Sequence, residues 1–117
     1  MSANKGPLSG IRVLDLGRHI SCPTCGMTLG DLGAEVIKVE KRIWGDDTRH
    51  SGEEYKGVNL YYPTENRNKK RVTINFRSDE GKKLLRELIE KSDVLIENFR
   101  PGTMEKMGLD WETVHKL

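Results

Sequence analysis

At 117 residues the chain has room for one domain with a modest core, and 35% hydrophobic against 32% charged residues is polar for a self-sufficient α/β unit. A formal charge of +2 is too small to argue for nucleic acid, and no apolar run nears the ~18 residues of a membrane span. The first residues lack a signal-peptide core, so the expectation is a cytoplasmic protein that borrows part of its core from another segment or subunit.

Met1 to Gly10 reads as a leading arm whose Pro7-Leu8-Ser9-Gly10 turn feeds a first strand, Ile11 to Leu16. That strand is a compact apolar run of the buried parallel type, and Gly17 ends it. A second such run is Val36 to Glu40. The interval holds one helix of about ten residues, roughly 15 Å long, with Pro23 suited to its first turn and Gly33 to its end. Strand, helix and strand of this economy make a right-handed βαβ crossover, and ligands of open α/β sheets gather at the carboxyl ends of the strands.

From residue 41 to 64 no steady period holds. Gly45, Gly52 and Gly57 mark a long loop, the kind that is functional or disordered in a compact domain. Within it, Asp46 and Asp47 lack a third oxygen ligand at a recognisable spacing, so turn formation and capping explain them better than a metal. Asn59 to Thr64 is a short helical or extended piece. The basic run Arg67 to Arg71 is balanced by nearby acids and reads as a solvated loop, not a nucleic-acid patch.

A third strand spans Arg71 to Phe76, alternating so that Val72, Ile74 and Phe76 turn inward. Ser78 then caps a helix with Asp79 and Glu80 in its positive first turn, and Leu84, Leu85, Leu88 and Ile89 form its apolar stripe. Lys82, Lys83, Arg86, Glu87 and Glu90 are its wet face. Val94 to Phe99 is a fourth strand, and Arg100-Pro101-Gly102 turns off its end. Thr103 is placed to cap a short helix through Met107, which Gly108 stops. Asp110 caps a last one from Trp111, which ends without a stop signal and reads as a truncation. Four strands interleaved with helices predict an α/β fold with a mostly parallel sheet, in the order 3-2-1-4.

Chemistry is sparse along this path. The first strand is followed by Gly17-Arg18-His19-Ile20-Ser21-Cys22, not G-x-G-x-x-G, although Glu40 stands where a ribose-binding acid would. Positive groups instead recur at strand ends: Arg18, Lys41, Arg42, Arg49, Arg77 and Arg100, with Lys106 nearby. Such a convergence suits a phosphorylated ligand. Cys22-Pro23-Thr24-Cys25 has thioredoxin-like spacing at a helix start. It supports an alternative, a stand-alone thiol-redox or nucleotide-binding module, but offers too few ligands for zinc.

The stretches Pro7 to Leu16 and Gly30 to Glu40 closely resemble the opening of the class III CoA-transferases, the family of formyl-CoA transferase, carnitine CoA-transferase and the α-methylacyl-CoA racemases. Gly45 to Arg49, Asn66 to Lys70 and Asp93 to Gly102 match it in the same order, so the resemblance covers essentially the whole chain. It implies a Rossmann-like N-terminal segment over 1–117 that binds CoA, and two full-length subunits interlocked as a homodimer. The substrates implied are an acyl-CoA and a carboxylic acid acceptor, with no further cofactor and no metal. The CoA contacts it carries over are Ile20 and Ser21 after the first strand, and Lys41 after the second. Those contacts continue through Ile74, Asn75, Phe76 and Arg77, then Asn98, Phe99 and Arg100, and Lys106. Lysine stands at 41 and 106 where arginine is common, which keeps charge and loses the two-pronged fork. The family's nucleophile is an aspartate downstream of Leu117, which attacks the thioester to form a mixed anhydride. No catalytic residue is therefore expected here, and the chain alone is expected to be inactive. The Cys-Pro-Thr-Cys stretch replaces a small residue–proline–small residue pattern, so its retained proline favours packing over redox work.

Overall fold

Four parallel strands form the centre of the computed structural model, which describes residues 6–117. Met1 to Lys5 of the leading arm lie outside the described residues. The sheet runs β5–β2–β1–β6, with β1 at Arg12–Asp15, β2 at Glu35–Glu40, β5 at Lys69–Thr73 and β6 at Val94–Ile96. In the order of the expected strands this is 3-2-1-4. Register aligns Asp15 with Lys38, Asp15 with Ile96, and Glu40 with Thr73.

Helix α1 (Ser21–Asp31) joins β1 to β2 and packs on one face of the sheet through Leu29, beside buried Val13, Ala34 and Val36. It ends as the sequence requires: Gly33 takes φ +105°, and its N–H bonds to the Gly30 carbonyl. On the opposite face α3 (Asp79–Glu90) lays Leu85 and Ile89 against Leu14, Leu16, Val39 and Ile74. Leu14, Leu16 and Leu85 are essentially sealed from solvent, each stabilising the fold by about 1.5–3 kcal/mol. Ser78 caps α3 by accepting from the Gly81 N–H, and Asp110 caps α5 (Trp111–Lys116) through Thr113 N. Helices on both faces of a parallel sheet make this the α/β, Rossmann-like arrangement expected.

Several local expectations shift. The segment read as a long loop carries a 3-10 turn (Asp47–His50), the strand pair β3 (Glu54–Tyr55) and β4 (Val58–Asn59), and the start of α2 (Tyr61–Asn66). Lys56 and Gly57 both have positive φ, the two-residue turn that a right-twisted ribbon favours. Strand β5 starts at Lys69 and not Arg71, because Lys69 and Lys70 already pair with Val36 and Ile37 of β2, and its register with β2 runs to Thr73. Strand β6 ends at Ile96, where the Glu97 carboxylate accepts from the Phe99 N–H and turns the chain. Leu84 is 53% exposed, because the inward side of α3 runs through Gly81, Leu85 and Ile89 instead. Gly102, at φ +90°, holds the N-cap of α4 (Thr103–Lys106), which leaves Thr103 as its first helical residue and not its cap.

The α1 face changes character along the strands. Near the amino ends it is Val13 and Val36; near the carboxyl ends it is Asp15, Lys38 and Glu40, all buried. Lys38 is ion-paired with Asp46 at 2.7 Å, and Lys69 with Asp15 at 2.8 Å. Lys69 also donates to the Pro23 carbonyl and Asn66 Oδ1, each at 2.8 Å. Burial in a low-dielectric interior is tolerable for these charges because each finds its opposite and further hydrogen bonds. The edges of the sheet differ in kind: β5 offers Lys69-Lys70-Arg71, whereas β6 offers Val94-Leu95-Ile96.

Candidate functional site

The chain runs from β1 outward to β2 and β5, then returns to β6 on the other side of β1. A crevice therefore opens beyond the carboxyl ends of β1 and β6, the usual seat of a ligand in such sheets. A cleft of about 950 Å³ lies at that edge. Leu16 and Val39 form part of its floor, and six cations line it: Arg18, Lys41, Arg42 and Arg77 from strand-end segments, Lys82 from α3 and Lys106 from α4. No aspartate or glutamate is among the lining residues. Asn75, Phe76, Phe99 and Thr103 complete much of the wall.

The charges of the cleft are sorted from those of the fold. Arg12 and Lys70 pair with Glu35, Lys38 with Asp46, Arg49 with Glu40, and Lys69 with Asp15. Among the described residues, Arg42, Arg77, Lys82 and Lys106 form no ion pair with a carboxylate. Lys41 reaches only to Asp47 at 4.0 Å, and Arg18 lies over the Phe99 ring at 5.4 Å. Like charges brought together without counter-charges repel one another, and an anion bound between them relieves that repulsion.

Two buried hubs hold the loops that carry these cations. Asp46 Oδ1 accepts from the His19 N–H, the Thr48 N–H and the Thr48 hydroxyl, while Lys38 Nζ donates to the Gly17 carbonyl. Loss of water pushes the Asp46 carboxyl upward. The Lys38 hydrogen bond and charge, with the Thr48 donors, outweigh it and hold the carboxyl below the usual range. Glu40 accepts from the Asp46 N–H and, in two bonds, from the Arg49 guanidinium, with Arg71 at 3.5 Å. Arg49 also stacks over Tyr62 at 3.5 Å, and burial beside Glu40 raises that phenol to about 12. Arg49 is thus a clamp of the fold and not a free strand-end cation, and Glu40 is committed to it, with no place for a ribose.

Of the residues carried over from the sequence resemblance, Lys41, Asn75, Phe76, Arg77, Phe99 and Lys106 line this one cleft. Asn98 sits beside it as a tether: its amide accepts from the Arg18 N–H and donates to the Arg18 carbonyl and Ser21 Oγ. That ties the β6 loop to the β1 loop. Ile20 and Ser21 are exposed at the start of α1, Arg100 is exposed outside the lining, and Ile74 is buried in the core.

Lys82, read from the sequence as part of a solvated helix face, lines the cleft, and so does Trp44, from the stretch past the second strand where a ligand is expected. The signal for Lys82 was the Ser78 cap, which fixes the first turn of α3 at a strand end.

The surroundings of the two cysteines do not favour redox work. Both are free; Cys22 is buried and Cys25 exposed. Burial, together with the neighbouring Asp15 carboxylate, pushes the Cys22 thiol up to about 12, the opposite of what a reactive thiolate needs. No group of three or more His, Cys, Asp or Glu side chains suited to a metal occurs among the described residues.

Residues 8–117 match the model of CoA-transferase family III. The succinyl-CoA–D-citramalate CoA-transferase of Chloroflexus aurantiacus is 49% identical over 95% of this chain and 28% of its own length. Human succinyl-CoA:glutarate CoA-transferase is 44% identical over 97% of this chain and 26% of its own. The formyl-CoA:oxalate CoA-transferase of Bradyrhizobium diazoefficiens is 42% identical over 94% of this chain. A solved CAIB/BAIF family protein from Brucella suis superposes with a TM-score of 0.87 at 43% identity, over 97% of this chain and 31% of that one. The chain spans less than a third of the length of these relatives.

Proposed function

The chain belongs to CoA-transferase family III, and from that premise we propose that its cleft seats the nucleotide end of an acyl-CoA, in the front part of an acyl-CoA:carboxylate CoA-transferase. The observation that carries this reading is the charge of the cleft: six cations, no carboxylate, at the sheet edge where ligands collect. A volume of about 950 Å³ suits a ligand as large as a nucleotide with part of its arm. Lys41 and Lys106 serve as point charges for phosphate, Arg77 as a two-pronged donor, and Asn98 holds Arg18 and Ser21 in place.

In this reading residues 1–117 form the CoA-binding segment of a longer cytoplasmic protein that works as an interlocked homodimer. The carboxylate that attacks the thioester lies beyond Leu117, so the segment alone is inactive. The relatives from Chloroflexus aurantiacus, human and Bradyrhizobium diazoefficiens are all named as CoA-transferases, which supports transfer to a carboxylate acceptor over racemisation.

Calorimetry with CoA and the full-length protein tests the seat. Lys41→Ala and Arg77→Ala are each expected to weaken binding about tenfold, the scale of one charge-assisted contact. Unchanged affinity in both would remove the site, and turnover by the purified 117-residue chain would overturn the absence of its nucleophile.

A further inference from the structure

One aromatic ring in the cleft is held in place yet half exposed. Trp44 is stacked on His50, with ring centroids 3.8 Å apart and planes 24° from parallel. Its indole N–H donates to Asp47 Oδ1 at 2.8 Å, and the His50 ring is bonded through Nε2 to the Trp44 carbonyl at 2.7 Å. A tryptophan fixed by three contacts would ordinarily be covered as well, but 49% of its surface stays exposed.

The backbone presents this ring by an unusual route. Ile43 before it has φ +71° and Gly45 after it φ +72°. Positive φ is natural for glycine but an outlier for a β-branched residue, and Ile43 is 91% exposed, so no burial compensates the strain. The Trp44 N–H closes on the Arg42 carbonyl and the Gly45 N–H on the Lys41 carbonyl, making two tight turns about one side chain. Strain of this kind gathers where a ligand is gripped.

The surroundings say what the ring meets. Lys41 and Arg42 precede it by three and two residues and line the same cleft. The other aromatics there pack on the core, Phe76 and Phe99 alike; Arg18 lies over the Phe99 ring at 5.4 Å and Lys41 Nζ over the Trp44 ring at 6.0 Å, but Trp44 alone of the three keeps about half of its surface in solvent. A half-exposed aromatic ring beside Arg42, which has no carboxylate partner, and Lys41, whose only one is Asp47 at 4.0 Å, is the pairing that a nucleotide asks for, a π-surface for the base and positive charge for its phosphates. The uncharged amide arm of CoA asks for neither.

We propose that Trp44 is the specificity-determining wall of the cleft, stacking on the adenine ring of the CoA nucleotide. This rests on the nucleotide-binding reading given above. The full-length protein carrying 5-fluorotryptophan supplies the test, with the Trp44 resonance identified as the fluorine signal missing from Trp44→Phe. CoA and adenosine 3′,5′-bisphosphate are expected to move that resonance, and pantetheine to leave it in place. Trp44→Ala is expected to weaken CoA binding about 5- to 10-fold, the lower range for stacking on one base, while Trp44→Phe stays within about twofold of the parent. Calorimetric CoA binding with an unmoved Trp44 resonance would overturn the stacking and spare the nucleotide reading. A shift produced by pantetheine alone would also overturn it. No CoA binding by the unmodified protein would overturn the nucleotide reading itself, and the stacking with it.

Discussion

Lys38→Met removes a cation that is fully buried and lies 2.7 Å from Asp46 Oδ2, leaving a carboxylate with no counter-charge in the interior. Breaking a buried pair from one side costs about 3–5 kcal/mol, most of it the penalty of the orphaned charge. Asp46→Asn reverses the error: its remaining oxygen still accepts from Thr48 and His19, but Lys38 keeps only the Gly17 carbonyl at 3.2 Å. A similar loss is expected. The double variant carries no orphaned charge, so its loss should fall short of the summed singles by at least about 2 kcal/mol. Urea unfolding followed by far-UV circular dichroism measures all three. The pair also has a sign in pH. Its Asp46 carboxyl is held below its ordinary value, so the stabilisation is present above about pH 4 and fades as pH falls through the lowered value. Single variants that each lose less than about 1 kcal/mol, or a double variant whose loss equals the sum, would refute a charge pair working as a unit.

Gly81→Ala is expected to destabilise the fold by about 1–2 kcal/mol despite the better helix propensity of alanine, because the new methyl would overlap the Asn75 carbonyl oxygen; thermal unfolding reads it. Ile43→Gly should raise the melting temperature by a few degrees, since it relieves about 1–2 kcal/mol of left-handed strain and gives up almost no buried surface. The Cys22 thiol is raised from 9.0 to about 12 and the Tyr62 phenol from 10.0 to about 12. The stability they supply is complete below pH 9 and lost as pH rises towards 12, which alkaline denaturation would reveal as a steepening limb. At mildly alkaline pH a thiol reagent should modify exposed Cys25 in the native chain and reach Cys22 only after unfolding.

Local signals carried most of the fold. A capping serine, acids in the first turn and leucines at helical spacing marked α3 to within a residue. The two apolar runs around Pro23 and Gly33 marked the crossover that sets strand order. What stayed hidden was pairing across distance. A lysine within Val36 to Glu40 reads as one polar interruption, and its partner Asp46 lies in the loop after the strand, where a turn explains it equally well. Lys69 was hidden for the same reason, since nothing near it in sequence announces the Asp15 carboxylate 54 residues away. The cleft was half legible. Charges at strand ends could be read off the chain, but which of them the fold would use up could not. Arg49 was consumed by Glu40, and Lys82, on a face that looked merely solvated, was left free.

The unequal edges of the sheet give it a direction of growth. Lysine and arginine along β5 discourage another strand from settling there, as charged edge residues do in proteins that resist aggregation. Along β6 the backbone is bordered by Val94, Leu95 and Ile96, and a hollow of about 630 Å³ lies between Val94, Leu95 and the last helix, whose Trp111 is 76% exposed. Any strand that widens this sheet is therefore steered to the β6 flank. If that flank is left bare in a purified preparation, it is the surface by which molecules will first stick to one another.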